Sequence, residues 1–129
     1  MKKNFLFLSV LLLSLTGCKK ETFDERVEAE VMQFNKKEAP KRLDTYTTFD
    51  SMTYDRNTLE LGYYYTIESD ADISIFPKEE MRNELLRNLR SSIQLKQHKE
   101  RGLSFRYKYY LKRTGETIID CTFTPEEYK

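Results

Sequence analysis

Leu103-Ser104-Phe105-Arg106-Tyr107-Lys108-Tyr109-Tyr110-Leu111-Lys112 is the stretch that decides the fold. Apolar and aromatic side chains alternate in it with polar ones, which is the pattern of a strand that buries one face. Residues 117–124 show the same alternation, and Arg113-Thr114-Gly115 suits a three-residue hairpin loop whose glycine takes a positive φ. The predicted hairpin brings apolar residues together in three pairs: Phe105 with Phe123, Tyr107 with Cys121, and Tyr109 with Ile119.

A second hairpin is predicted upstream, between a strand at residues 48–54 and a strand at residues 58–67. An even-numbered loop would pair Tyr54 with Leu59 and Met52 with Leu61. An odd loop would place Glu60 opposite Met52 and spoil the apolar face, so the even register is favoured. The apolar face of the later strand consists of Leu59, Leu61, Tyr63, Tyr65 and Ile67.

Two amphipathic helices are predicted, one before each hairpin. Thr22-Phe23-Asp24-Glu25 resembles a capping box and starts the first helix, at residues 23–37. The second helix covers residues 77–99 and stops at Gly102. Its apolar stripe consists of Met81, Leu85, Leu86, Leu89 and Ile93.

The predicted fold class is therefore α+β, in the order αββαββ. Two helices would pack on one face of a four-stranded antiparallel sheet, because this arrangement buries every apolar stripe. Residues 23–129 would form this single domain, in which residues 41–47 are a linker and Pro125 ends the last strand before a charged tail.

The N-terminus has a different character. Lys2 and Lys3 precede an apolar run at residues 5–15, which is too short to span a membrane, and Leu15-Thr16-Gly17-Cys18 ends it. This stretch resembles the lipobox of bacterial lipoproteins. An ordinary secretory signal with a chance cysteine is the alternative.

The resemblance implies that residues 1–17 are removed as a signal peptide and that Cys18 is lipidated. Palmitate and related acyl chains would then hold the protein on a membrane of the bacterial cell envelope, with residues 18–22 as a short tether. In enteric-type lipoproteins an Asp after the cysteine favours the inner membrane. Lys19 stands there in this chain, so the resemblance favours the outer membrane and the periplasm.

Composition excludes some functions. Loss of residues 1–17 would leave 20 Lys and Arg residues against 21 Asp and Glu residues, and this balance argues against nucleic acid as a partner.

His98 is predicted to be a solvated helix-end residue, and Cys121 a buried thiol with a raised pKa. Asp70 and Asp72 lack the glycine and glutamate of an EF-hand loop. We therefore predict no enzyme activity, catalytic residue, cofactor or metal.

The sheet face turned away from the helices is the candidate binding surface. It is predicted to carry Phe49, Glu60, Tyr64, Arg106, Lys108, Tyr110 and Ile118. Because interfaces favour aromatic and arginine side chains, Tyr64, Arg106, Lys108 and Tyr110 are predicted to bind an envelope protein or glycan. A plain water-facing sheet is the alternative.

These observations favour a small lipid-anchored, non-catalytic binding module of the envelope, of the inhibitor or immunity type. The alternative function is a structural or assembly accessory of a larger envelope complex.

Overall fold

The structure is a computed structural model that describes residues 20–129, so the predicted leader and Cys18 lie outside the described residues. Its helices are α1 (Phe23–Gln33), α2 (Lys78–Ser91), α3 (Lys96–Arg101) and α4 (Pro125–Tyr128). Its strands are β1 (Lys41–Arg42), β2 (Thr47–Asp55), β3 (Glu60–Ile67), β4 (Ser104–Leu111) and β5 (Thr117–Phe123). A wide π-helical turn (Phe34–Glu38) follows α1, and a 3-10 turn (Ile73–Ile75) precedes α2.

The strands form one mixed sheet in the spatial order β1-β2-β3-β4-β5. The α+β class is confirmed, but the prediction of a four-stranded antiparallel sheet is wrong. β3 and β4 are parallel, because α2 and α3 carry the chain back to the end of the sheet where β3 begins. The fifth strand, β1, lies within the predicted linker and has only two residues.

The β4–β5 hairpin has all three predicted pairs. Its loop is one residue longer than predicted, since Leu111 N–H donates to Glu116 O at 2.8 Å, and Gly115 has the expected positive φ of 75°. A β-bulge absorbs the extra residue: Tyr110 pairs with Thr117 and Tyr109 with Ile119, leaving Ile118 without a partner. Ile118 is only 1% exposed, so its predicted place on the outer face is wrong.

The β2–β3 hairpin keeps the predicted even register, but its pairs are shifted by two residues. Tyr54 pairs with Leu61, and Met52 pairs with Tyr63. The Asp55 carboxylate accepts a hydrogen bond from Asn57 N–H at 2.9 Å, and this turn delays the start of β3 to Glu60. An even shift leaves the side chains of residues 51–55 on their predicted faces.

A second bulge changes the position of Phe49. Phe49 pairs with Tyr65 while Ser51 pairs with Tyr64, so Asp50 is the extra residue. The Phe49 ring centroid lies 4.7 Å from that of Tyr65 and 4.3 Å from that of Phe34. Phe49 therefore packs on the helix side of the sheet, and its predicted position on the outer face is wrong.

The predicted second helix is broken into α2 and α3 at residues 92–95. Lys99 Nζ crosses the break and donates to the carbonyl oxygens of Leu89 and Arg90 at 2.9 and 3.0 Å. The break removes Ile93 from the apolar stripe and leaves it 87% exposed. Gly102 ends α3 with a φ of 86°, as predicted.

The core lies between the helices and one face of the sheet. Thr22 Oγ1 caps α1 by accepting from Glu25 N–H at 3.2 Å, as predicted. The core extends into the tail, which the sequence analysis left unstructured: Tyr128 of α4 is buried and donates to Leu103 O at 2.8 Å. None of the helices between residues 20 and 129 combines the length and apolarity needed to cross a membrane. The largest fully buried side chains among the described residues are Phe105, Phe123, Leu61, Leu89, Leu103, Leu111, Ile118 and Val27.

Candidate partner-binding surfaces

The sheet face opposite the helices, here called the outer face, carries the four predicted binding residues. Tyr64 pairs with Lys108 across the β3–β4 seam, and strand alternation places Arg106 and Tyr110 on the same side. The structure thus brings Tyr64, Arg106, Lys108 and Tyr110 together. The same alternation places Glu60 on this face.

Asp120, which was not among the predicted residues, pairs with both cations of the outer face. Arg106 donates to its two carboxylate oxygens at 2.9 and 2.7 Å, and Lys108 Nζ lies 4.0 Å away. The hydrogen bonds from Arg106 hold the pKa of Asp120 below its usual value. Lys108 also lies 4.9 Å above the Tyr110 ring. The predicted register already placed Asp120 opposite Lys108, so this ion pair could have been found from the sequence.

A groove lies on the helix side of the sheet, where α1 packs on β2 and α2 packs on β5. Its floor is formed by four tyrosines of β3 and β4, and we call it the tyrosine groove. Tyr63 stacks on Tyr107 with ring centroids 5.1 Å apart, and Tyr65 stacks on Tyr109 at 4.5 Å. Since the ring faces cover one another across the seam, ring edges and hydroxyl groups are left to meet an occupant.

The tyrosine groove has a volume of about 390 Å³, and none of its lining side chains is charged. Hydroxyl hydrogen bonds in the described residues involve Tyr54, Tyr64 and Tyr128, and none involves the four floor tyrosines. Tyr107 is nevertheless more than nine-tenths buried. The walls of the tyrosine groove are formed by Leu43, Leu85, Asn88, Leu89, Ser92, Gln94 and Leu95.

Burial changes the pKa values of the four tyrosines that form the floor of the groove. It raises the pKa of all four tyrosines, that of Tyr109 to about 12. The hydroxyls are therefore neutral donors at physiological pH. Alternation along β3 and β4 places these tyrosines on the core face but does not predict the groove. Tyrosine rather than leucine at four core positions was the available signal.

His98 is not the solvated residue that was predicted. Its side chain is 13% exposed and packs from α3 against α1, with its ring centroid 5.6 Å from that of Phe23. Its Nε2 lies 3.4 Å from Glu30 Oε2, while Nδ1 has no hydrogen-bond partner among the described residues. His98 therefore contributes to packing between these helices.

Burial raises the pKa of the Cys121 thiol to about 11, as predicted, which makes it a poor nucleophile. Asp72 starts the 3-10 turn by accepting from Ser74 N–H at 2.9 Å, and hydrogen bonds from Ser74 lower its pKa. Residues 20–129 hold no group of three or more His, Cys, Asp or Glu side chains arranged to bind a metal.

The fold and these surfaces define a small α+β protein with a mixed sheet, helices on one face, and two surfaces suited to contact with a partner. The chain belongs to the family described as a domain of unknown function, DUF8479, whose model matches residues 22–119. No curated protein matches the chain significantly in sequence.

Solved structures share the fold at low sequence identity. A Pseudomonas aeruginosa protein described as secreted aligns with a TM-score of 0.68 and 12% identity, over 85% of this chain and 100% of its own. EpsS, the type 2 secretion system pilotin of Vibrio vulnificus, aligns with a TM-score of 0.62 and 16% identity, over 78% and 86% of the two chains. AspS, the type II secretion system pilotin of Vibrio cholerae, aligns at 0.57 and 15%, over 77% and 85%.

Proposed function

We propose that this protein is a lipid-anchored, non-catalytic assembly accessory of a bacterial envelope complex, and that a partner segment binds in its tyrosine groove. The groove is the observation that carries the proposal. The four floor hydroxyls open into the groove without a hydrogen-bond partner among the described residues, so an occupant that offers acceptors can replace the water that meets them. The absence of charge in the lining favours an uncharged segment, since a buried charge would need a counter-ion.

The structural neighbours support the accessory role over the inhibitor or immunity role. Two of them are pilotins of type 2 secretion systems, and a third is described as secreted. Fold likeness alone does not carry function, so the proposal rests on the groove as well.

A charge placed in the groove tests this role. Asn88→Arg introduces a long cationic side chain at the α2 wall, where it would occupy space that a docked segment needs and add a charge to an uncharged lining. Asn83→Arg is the matched control, because Asn83 is an exposed asparagine of the same helix outside the groove lining. A photo-crosslinking residue at Leu43, on the opposite wall, would capture the occupant in native envelopes for mass spectrometry.

We expect the Leu43 crosslink to join a subunit of a resident membrane complex, and Asn88→Arg but not Asn83→Arg to abolish it. Capture of a secreted or foreign protein would instead favour the inhibitor or immunity function. A crosslink that Asn88→Arg leaves unchanged would rule out the groove as the docking site.

The outer face remains the second candidate surface. Tyr64 pairs with Lys108 across the β3–β4 seam and the Lys108 ammonium lies over the Tyr110 ring, and aromatic rings beside a cation suit a protein or glycan partner. Changing Tyr64 and Tyr110 to Ser should abolish capture through this face while leaving the melting temperature nearly intact. Unchanged capture would reject this surface.

The anchor is tested separately. We expect mass spectrometry of the mature protein to find a diacylglyceryl-modified Cys18 as its first residue. Cys18→Ser should release the protein from membranes, because stable anchoring needs two or more acyl chains. An unmodified thiol at position 18 with an intact leader would disprove the lipoprotein proposal.

A further inference from the structure

The two edges of the sheet differ in how their backbone is covered. At the β2 edge, β1 pairs with Thr48 and Phe49. The Asn35 side chain continues this cover: its amide donates to Met52 O and its oxygen accepts from Met52 N–H, both at 2.8 Å. Asn35 thus takes the place of a peptide group from a neighbouring strand.

Among residues 20–129, no strand or side-chain amide covers the β5 edge in this way, although α2 packs against β5. β5 is seven residues long, and its strand neighbour is β4 on one side. On its other side, no backbone hydrogen bond from another described residue reaches it. Asp120 is its one charged residue and is held by Arg106. Long, weakly charged edge strands pair with other strands unless they are blocked.

We propose that β5 is an interface through which two copies of this chain associate, by antiparallel pairing of β5 with β5 of the second copy. The interface lies at a sheet edge, outside the lining of the tyrosine groove. The inference therefore goes beyond the accessory role and does not depend on it.

The bulge at Ile118 fixes the register of this pairing. It interrupts the regular ladder, so the uninterrupted segment of β5 is residues 119–123, with Cys121 at its centre. A two-fold axis through that centre pairs every residue of the segment with one of the same face. The pairs are Ile119 with Phe123, Asp120 with Thr122, and Cys121 with Cys121 of the second copy.

Charge excludes the next possible register. An axis through Asp120 would place the two Asp120 carboxylates directly opposite each other, which destabilises a strand pair. The axis through Cys121 instead places each Asp120 opposite Thr122 of the second copy. An axis through Thr122 would also separate the Asp120 carboxylates, but it would pair only residues 121–123 of β5, so the axis through Cys121 pairs the longest segment without a like-charge contact.

Thr122→Asp tests the pairing. In the proposed dimer it creates two like-charge pairs with Asp120, which should weaken association roughly tenfold. Within one copy the new carboxylate lies opposite Arg106 of β4, so the fold should persist. Thr117→Asp is the matched control, because Thr117 is also exposed on β5 but lies before the bulge.

Sedimentation velocity of the purified full chain in detergent gives the dissociation constant of each variant, and thermal melting checks folding. We expect a wild-type dimer, a Thr117→Asp dimer of equal strength, and a Thr122→Asp dimer about tenfold weaker. A monomeric wild-type chain at its solubility limit, or equal weakening by both variants, would overturn the proposal.

Disulfide crosslinking in a Cys121→Ser background determines the register of the β5–β5 pairing. Chains with Asp120→Cys, mixed with chains carrying Thr122→Cys, should form a disulfide when diamide oxidises them, because the two positions are directly opposite. Thr122→Cys chains alone should not link. Efficient linking of Thr122→Cys chains to each other would contradict the proposed register.

Discussion

Gly62 shows how one missing side chain shapes the outer face. A Cβ atom there would lie 2.4 Å from Thr53 Oγ1 and 3.0 Å from Tyr64 Cε2. Without it, the Tyr64 ring packs close over the strand, and its hydroxyl lies 3.4 Å from Thr53 Oγ1. Glycine at this position is therefore explained by close packing rather than by an unusual backbone angle.

Gly62→Ala should destabilise the fold by about 1–3 kcal/mol, because the added methyl group overpacks a closed site. Urea unfolding followed by circular dichroism measures this change. In a Thr53→Ala background the main clash is gone, so the cost should shrink. An equal cost in both backgrounds would show that Thr53 is not the source of the strain.

At the scale of elements, the bulge in β5 reverses the environment of one residue. Simple alternation predicts an exposed Ile118, whereas the structure buries it almost completely. The hairpin register was predictable because the apolar faces match in only one way. The bulge was not, because a longer loop and a compensating extra residue leave the same apolar pairs in place.

Ile118→Ala should cost about 2–5 kcal/mol of unfolding free energy, as expected for an apolar side chain removed from a buried site. The matched substitution Thr117→Ala, at the exposed neighbour, should change stability by less than about 0.5 kcal/mol. Equilibrium unfolding of both variants decides the point. Similar small effects at the two positions would restore the alternating pattern predicted from the sequence.

The direction of the central strand pair was beyond sequence reasoning. Both hairpins are local, and their loops determine antiparallel pairing within each. How the hairpins join depends on where the helical connection returns the chain, and the break at residues 92–95 has no clear signal in an otherwise helical stretch. The all-antiparallel sheet was predicted because it buries every apolar stripe, a criterion that does not determine the direction in which the two hairpins join.

At the scale of the whole molecule, two candidate surfaces lie on opposite faces of one sheet. The outer face was predictable, since alternation places its four named residues together and the structure keeps them adjacent. The tyrosine groove was not, because it depends on how far apart α1 and α2 sit above the sheet. Periodicity shows which helix face is buried but gives no spacing between helices.

Because burial raises the pKa values of the groove tyrosines, we expect the protein to lose stability at high pH. An unfolded tyrosine ionises at a pKa near 10, whereas burial raises the pKa of the four groove residues. As pH rises past about 10, the unfolded chain releases these protons first, so the free energy of unfolding falls. The loss continues through the folded pKa of Tyr109, about 12.

Phenolate absorbance and circular dichroism, recorded together against pH, test this expectation. The groove tyrosines should ionise only as the fold is lost, and Tyr65→Phe should make stability fall less steeply with pH. Ionisation of all nine tyrosines near pH 10 in a chain that stays folded would contradict it.

The parallel seam between β3 and β4 has a consequence for the newly made chain. β3 cannot pair with β4 until the chain has been made beyond Ser104, the partner of Glu60. Each flanking hairpin, in contrast, can close within microseconds of its own synthesis. Non-local pairing of this kind slows folding. Until β4 emerges, the first half of the protein exposes Tyr63 and Tyr65 beside an open strand, and it is in this interval that aggregation or capture by a chaperone would compete with maturation.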